Sequence, residues 1–208
     1  VPNAVDTERF HPPTPEEKAA LRQRFDIPQD APVAIFVGRL APEKRVNYLV
    51  DAWRAVEAVH PHAVLLVLGI GPEEASLKQQ AGSGVRFLGS IDDVVPYLQA
   101  ADLFALPSVA EGLSVAMLEA MSTGLTAMVT AVGGAPETIT HSKNGWLLTP
   151  DQAQEVEDSL ISLLGDKEQL QTIGYNARQT ILQEFALTSI AKKLRELYEK
   201  LLAQAAQR

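Results

Sequence analysis

Two cations five positions apart, Arg39 and Lys44, stand in the loop Gly38-Arg39-Leu40-Ala41-Pro42-Glu43-Lys44-Arg45, just after the apolar run Val33 to Val37. A guanidinium fork and a mobile ammonium beside the free amides of a helix start are groups that can hold a diphosphate. A second loop, Pro107 to Ser114, follows Leu103 to Leu106 and leads into a helix carrying Glu119. Here Gly112 lets the backbone approach a ligand closely, and the amides around Leu113, Ser114 and Val115 point toward an anion. Glu119, about one turn into the helix, has two acceptor oxygens, enough for both hydroxyls of a ribose. A plainer reading competes with this chemistry. Arg39 and Lys44 could belong to a solvated loop, and Glu111 and Glu119 could be surface acids near a positive helix end, worth a few tenths of a kcal/mol.

The elements that would position these groups follow from the pattern of apolar runs. Val33 to Val37, Val64 to Leu68, Val85 to Leu88, Leu103 to Leu106, Ala127 to Thr130 and Trp146 to Leu148 are short and nearly continuous in apolar residues. Such runs suit strands buried on both faces, as in a parallel sheet covered by helices. Helical patterns fill the intervals at Val46 to Val59, Pro72 to Ala81, Asp93 to Ala101 and Ser114 to Ser122, with a shorter interval at Ala135 to Thr140. The expected fold is therefore α/β: a Rossmann-like, doubly wound parallel sheet of about six strands. From Asp151 onward helices replace strands, and Ile190, Leu194, Leu197, Leu201 and Leu202 form one apolar stripe on a C-terminal amphipathic helix over residues 187–206. In an open parallel sheet ligands sit outside the carboxyl ends of the strands, where the Arg39/Lys44 and Glu111/Glu119 loops belong.

Composition narrows the classes further. The chain has 208 residues, Lys+Arg 18 against Asp+Glu 26, a net charge of −8 and 46% hydrophobic residues, which fits one globular domain with a sizeable core. An acidic chain is a poor general nucleic-acid binder, so an anionic ligand needs a local basic spot. Zero cysteines remove thiolate nucleophiles, disulfides and Cys-ligated zinc. The longest apolar stretch, Ala63 to Ile70, is far shorter than the ~20 residues of a membrane span, and Val1-Pro2-Asn3 lacks a signal peptide's charged and apolar regions. The expectation is a cytoplasmic protein without a membrane span, peripheral to the membrane in a full-length enzyme.

Read together, the motifs resemble the C-terminal, donor-binding domain of the family 4 retaining glycosyltransferases of the GT-B fold. Pro2-Asn3-Ala4-Val5-Asp6 with Phe10 resembles the interdomain "PNGVD…F" segment, here residues 1–15, and Gly38-Arg39-Leu40 with Glu43-Lys44 resembles "GRL…EK". Gly69-Ile70-Gly71-Pro72 matches "GxGP", Phe87-Leu88-Gly89 matches "FLG", and Gly133-Gly134-Ala135-Pro136-Glu137 with Asn144-Gly145 matches "GGxPE…NG". Most specific is the E-x7-E pair, Glu111 to Glu119.

The resemblance implies a nucleoside-diphosphate-sugar donor, with a lean toward UDP, and transfer with retention of configuration. It puts Arg39, Lys44 and Gly38 at the diphosphate and Glu119 at the ribose. Glu111, with the backbone of Gly112, Leu113, Ser114 and Val115, faces the transferred sugar and the phosphate oxygens, so that Arg39, Lys44 and Glu111 form the catalytic set. The resemblance implies that no bound metal or other cofactor is needed, which fits the lack of a convincing carboxylate cluster in the sequence. The resemblance also implies a partner N-terminal domain for the acceptor, absent before Val1, so this single domain would be half an enzyme, inactive alone. Its C-terminal helix would then be partly uncovered or self-associated. The family usually has glycine at Ala4 and Arg45, often Asp at Ile70, and commonly proline at Thr126. Ile70 should weaken a polar contact to the nucleoside, and Thr126 should loosen the turn after Gly124.

Rival readings have specific weaknesses. A dinucleotide fingerprint starts at Gly69-Ile70-Gly71, with Asp92 at a suitable distance, but Glu74 stands where the third glycine belongs. Gly112-Leu113-Ser114-Val115-Ala116 resembles a hydrolase elbow without its last glycine, and His141 has only Glu137 near it in sequence. His60-Pro61-His62 lacks a third metal ligand nearby and reads as a helix-ending turn. A non-catalytic nucleotide-sugar-binding module remains the alternative for the isolated chain, because transfer needs a positioned acceptor.

Overall fold

The computed structural model describes the backbone of residues 3–205 and side chains through Lys200. Val1, Pro2, residues 206–208 and the side chains of Leu201 and Leu202 lie outside the described residues. Six parallel strands, β1 (Val33–Val37), β2 (Val64–Leu68), β3 (Val85–Gly89), β4 (Leu103–Leu106), β5 (Thr126–Thr130) and β6 (Trp146–Leu148), form one sheet of order β3-β2-β1-β4-β5-β6. The chain winds outward from β1 to β3, returns, and winds outward again from β4 to β6. The β1/β4 boundary is therefore the topological switch point.

Helices cover both faces, as right-handed crossovers require. The sequence elements are α1 (Pro15–Arg24), α2 (Val46–Val59), α3 (Glu74–Gln80), α4 (Val95–Ala100), α5 (Val115–Ser122), α6 (Ala135–Thr138), α7 (Ala153–Gly165), α8 (Lys167–Glu184) and α9 (Leu187–Ala205). Central strands β1, β2, β4 and β5 are almost wholly buried, and the core is anchored by Trp53, Phe36 and Phe104. That two-sided burial is why their sequences read as unbroken apolar runs.

Several element bounds differ from the sequence reading. The segment read as extended over residues 1–15 gives way to helix at its last position, because Pro15 begins α1. Thr14 accepts from the amide of Glu17 while the Glu17 carboxylate accepts from the amide of Thr14, a capping box with proline at the first helical position. Next, β5 begins at Thr126, whose hydroxyl donates to the carbonyl of Leu170 at 2.8 Å. Thr126 thus ties β5 to α8 where a loosened turn was expected. Finally, α3 and α4 are shorter than their helical patterns, since Pro72-Glu73 and Asp93-Val94 precede the first helical turn.

The N-terminal segment is held down by the chain's own far end. Val5 pairs with Ala186 in a parallel bridge, and the Arg178 guanidinium donates to the carbonyls of Thr7, Phe10 and Ser122. Beyond that point α9 leaves the domain: Ile190 is buried, Leu194 is half-buried and Leu197 is 47% exposed. No helix among the described residues is long and apolar enough to cross a membrane.

Candidate functional site

The β1 and β4 loops meet at the switch point. Lys44 Nζ donates to Glu111 Oε1 at 2.5 Å, and the amide of Val109 donates to the carbonyl of Glu43 at 2.9 Å. Both side chains of the pair are largely covered, at 20% and 15% exposure, so the ion pair sits at the edge of water where Coulombic attraction is only partly screened. Arg39 is exposed and, with Gly38, lines an open cleft together with Ile70, Pro72 and Glu74 of the β2 loop.

Loop β2 is pressed onto loop β1 by backbone alone. The amide of Leu40 donates to the carbonyl of Ile70, and a Cβ on Gly69 would meet the carbonyl oxygen of Gly38 at 1.9 Å. A Cβ on Gly71 would likewise meet Leu40 O at 2.2 Å. These glycines are therefore needed for loop–loop packing, and α3 starts with the carboxylate Glu74, which disfavours a dinucleotide pyrophosphate there. Ile70, 56% exposed, brings an apolar surface to the cleft where an acid was the familiar residue.

After β4, residues 111–115 form an amide nest that leads into α5. Ser114 caps α5, its Oγ accepting from the amide of Met117 at 3.3 Å, which leaves its own proton free to donate. The amides of Gly112, Leu113 and Ser114 donate to no partner among the described residues. Two long-range contacts pin the carbonyl side of this turn. Asn3 Nδ2 donates to Leu113 O at 2.8 Å, and the amide of Gly134 donates to Gly112 O at 2.9 Å. Gly133 stands at φ +56°, and a Cβ there would meet the carbonyl oxygen of Glu111 at 2.1 Å. The sequence signalled Asn3 and Gly133-Gly134 only as motif letters; their role as braces of the nest is visible only in three dimensions.

Glu119 projects one turn further along α5, half-buried and without a hydrogen-bond or ion-pair partner among the described residues. Burial pushes its carboxyl above the usual carboxylate range, and the Arg9 guanidinium nearby opposes that shift. Arg9 itself pairs with Asp93 at 3.1 Å, so the N-terminal segment reaches the neighbourhood of Glu119, a contact that the sequence reading missed.

The structure thus brings Gly38, Arg39, Lys44, Glu111, Gly112, Leu113, Ser114, Val115 and Glu119 to one end of the sheet. Other candidates are committed elsewhere. His141 Nδ1 accepts from the amide of Leu147 and its ring packs on Trp146, so it is no base for Ser114. His60 caps the end of α2 and bonds to the carbonyl of Ile161. Among the described residues no three His, Cys, Asp or Glu side chains are grouped to hold a metal ion.

A second hollow, about 380 Å³, lies near the opposite, amino ends of the strands and is lined by Lys18, Arg22, Asp102 and Lys167. Its central carboxylate, Asp102, accepts from Lys18, Arg22 and the amide of Val33. That arrangement anchors α1 to β4 and gives the acid a structural role.

The family model described as "Glycosyl transferases group 1" matches residues 17–180. A GDP-mannose-dependent monoacylated alpha-(1-6)-phosphatidylinositol monomannoside mannosyltransferase of Corynebacterium glutamicum is 32% identical over 96% of this chain and 55% of its own length. The crystal structure of HepE from Anabaena in complex with UDP aligns at TM-score 0.86 and 27% identity, covering 95% of this chain and 56% of that one. A C-terminal domain of a glycosyl transferase group 1 protein from Francisella tularensis, 24% identical, has the same fold at TM-score 0.79 and covers 88% of this chain and 99% of that one. The chain spans about half the length of the curated relatives it matches. With its Rossmann-like sheet and the facing loops of its switch point, it belongs to the group 1 glycosyltransferase family.

Proposed function

We propose that this chain is the donor-binding half of a retaining glycosyltransferase that uses a nucleoside-diphosphate sugar. The observation that carries the reading is the meeting of Lys44 and Glu111 beside the unbonded amides of the nest. A cation within reach of free amides is a pyrophosphate-sized anion site, and the adjacent acid and half-buried Glu119 are acceptors for sugar hydroxyls.

In this reading Arg39 and Lys44 hold the diphosphate, Glu119 takes the ribose hydroxyls, and Glu111 with Gly112 to Ser114 faces the transferred sugar. Donor binding redirects Lys44 from Glu111 toward phosphate oxygen, freeing the acid for the sugar. During transfer the C1–oxygen bond to the diphosphate breaks, and a new bond forms from C1 to the acceptor oxygen on the same face. The acceptor's proton passes to the departing phosphate, whose charge Lys44, Arg39 and the nest amides stabilise. No metal or cofactor enters this scheme. Both the acceptor and an N-terminal domain that binds it belong to the proposal, as does a cytoplasmic, membrane-peripheral location.

UDP is the proposed nucleotide. HepE supports that choice by its complex with UDP, while the name of the Corynebacterium relative carries GDP-mannose. Isothermal titration of the chain with UDP, GDP and ADP tests both site and preference. Saturable binding that weakens in Arg39→Ala and Lys44→Ala is expected; unchanged affinity in both variants refutes the site. A parallel assay for sugar transfer or donor hydrolysis separates an active domain from a binding module.

A further inference from the structure

Ser108 follows β4 by two positions and is fully buried, yet its Oγ has no hydrogen-bond partner among the described residues. Buried side-chain hydroxyls in native proteins are nearly always paired, with protein or with an ordered water. Ser108 lines a small cavity of about 10 Å³ whose walls include Glu111, Gly112, Ser114 and Thr130. That is close to the space one water molecule needs, and the walls offer the several polar partners that hold such a water in place. The cavity lies between the tips of β4 and β5 and the inner side of the amide nest, since Leu106, Val129 and Thr130 form its floor.

We propose that this cavity is a binding site for a single structural water, and that Ser108 acts through it as a positioning residue that fixes the Glu111–Ser114 turn. Asn3 and Gly134 grip the turn by its carbonyls, and Gly133 packs against it from the flank. None of these supports reaches the inner side, where Ser108 stands. Gly112 has no side chain to fasten it, and a Cβ there would find nothing within 4 Å. A water bonded to Ser108 Oγ and to the turn closes the remaining side, so the amides meet phosphate oxygens without reorganising. The functional half of this inference rests on the diphosphate reading above.

A high-resolution crystal structure of the unliganded chain, backbone NMR order parameters in wild type and Ser108→Ala, and titration of both with UDP and GDP test it. One water within hydrogen-bond distance of Ser108 Oγ is expected, together with lower order parameters at Gly112, Leu113 and Ser114 in the variant. Nucleotide affinity should fall by about fivefold while the melting temperature and the order parameters elsewhere in the sheet stay unchanged. A dry cavity, or order parameters at the turn that are the same in both proteins, overturns the proposal. A wild-type chain that shows the water and the loosened turn in the variant but binds neither nucleotide overturns the diphosphate reading and leaves the water brace standing.

Discussion

Removing the Lys44 ammonium should cost more than one lost contact, because its partner stays behind. Lys44→Ala deletes a charge-assisted bond to diphosphate worth about 1.5–3 kcal/mol, or roughly 10- to 150-fold in affinity. It also leaves Glu111, only 15% exposed, as an uncompensated carboxylate beside the incoming anion. That repulsion is absent in Lys44→Ala/Glu111→Gln, so the double variant should bind UDP or GDP more tightly than Lys44→Ala alone. Glu111→Gln by itself releases Lys44 from the 2.5 Å ion pair and should tighten binding of free nucleoside diphosphate. The coupling between directly contacting charges falls within about 0.5–3 kcal/mol. Isothermal titration of all four proteins at one fixed ionic strength reads it, since salt screens the partly exposed pair. A Lys44→Ala protein within twofold of wild type, or a double variant no tighter than the single one, refutes the reasoning.

Glu119→Gln should weaken nucleoside diphosphate binding more than pyrophosphate binding, measured by the same titration; equal losses would make Glu119 a structural acid. Because burial raises the Glu119 pKa, its charge opposes folding at neutral pH and that penalty disappears as pH falls through the raised value toward the ordinary carboxylate range. Thermal melts should therefore show Glu119→Gln more stable than wild type at pH 7, with the gap closing in acid. Gly133→Ala forces a Cβ into the carbonyls of Glu111 and Gly112 at a left-handed backbone, and should cost about 1–3 kcal/mol of stability on urea unfolding and at least tenfold in nucleotide affinity. Arg45 holds φ +50° and pairs with Asp151 at 3.0 Å. Arg45→Ala keeps the strained backbone without the pair, whereas Arg45→Gly relieves it, so urea unfolding should find the glycine variant more stable by about 1 kcal/mol.

That last residue illustrates what the sequence makes legible. The familiar glycine at position 45 reports a left-handed turn, and this chain keeps the turn with arginine by adding the Asp151 contact. The six strands were readable because burial on both faces writes continuous apolar runs. The edges of those runs were less so: Thr126 is polar and buried, satisfied by a carbonyl forty-four positions away. Helix α1 escaped because four prolines near it suggest extended chain, although Thr14-Pro15-Glu16-Glu17 is a local start signal. At the site, residue types and spacing identified Arg39, Lys44, Glu111 and Glu119 as candidates. The Lys44–Glu111 pair, Asn3 on Leu113, Gly134 on Gly112, Arg9 near Glu119 and the orphan hydroxyl of Ser108 join loops far apart in sequence, and no local pattern encodes such meetings.

The most direct measurement is a crystal structure of the chain soaked with UDP or GDP. The diphosphate should lie across the β1/β4 boundary, with Lys44 turned from Glu111 to a phosphate oxygen, nest amides on the same anion and Glu119 on the ribose. Nucleotide seated at the amino ends of the strands, or bound with the Lys44–Glu111 pair intact and the nest amides unengaged, would contradict that placement.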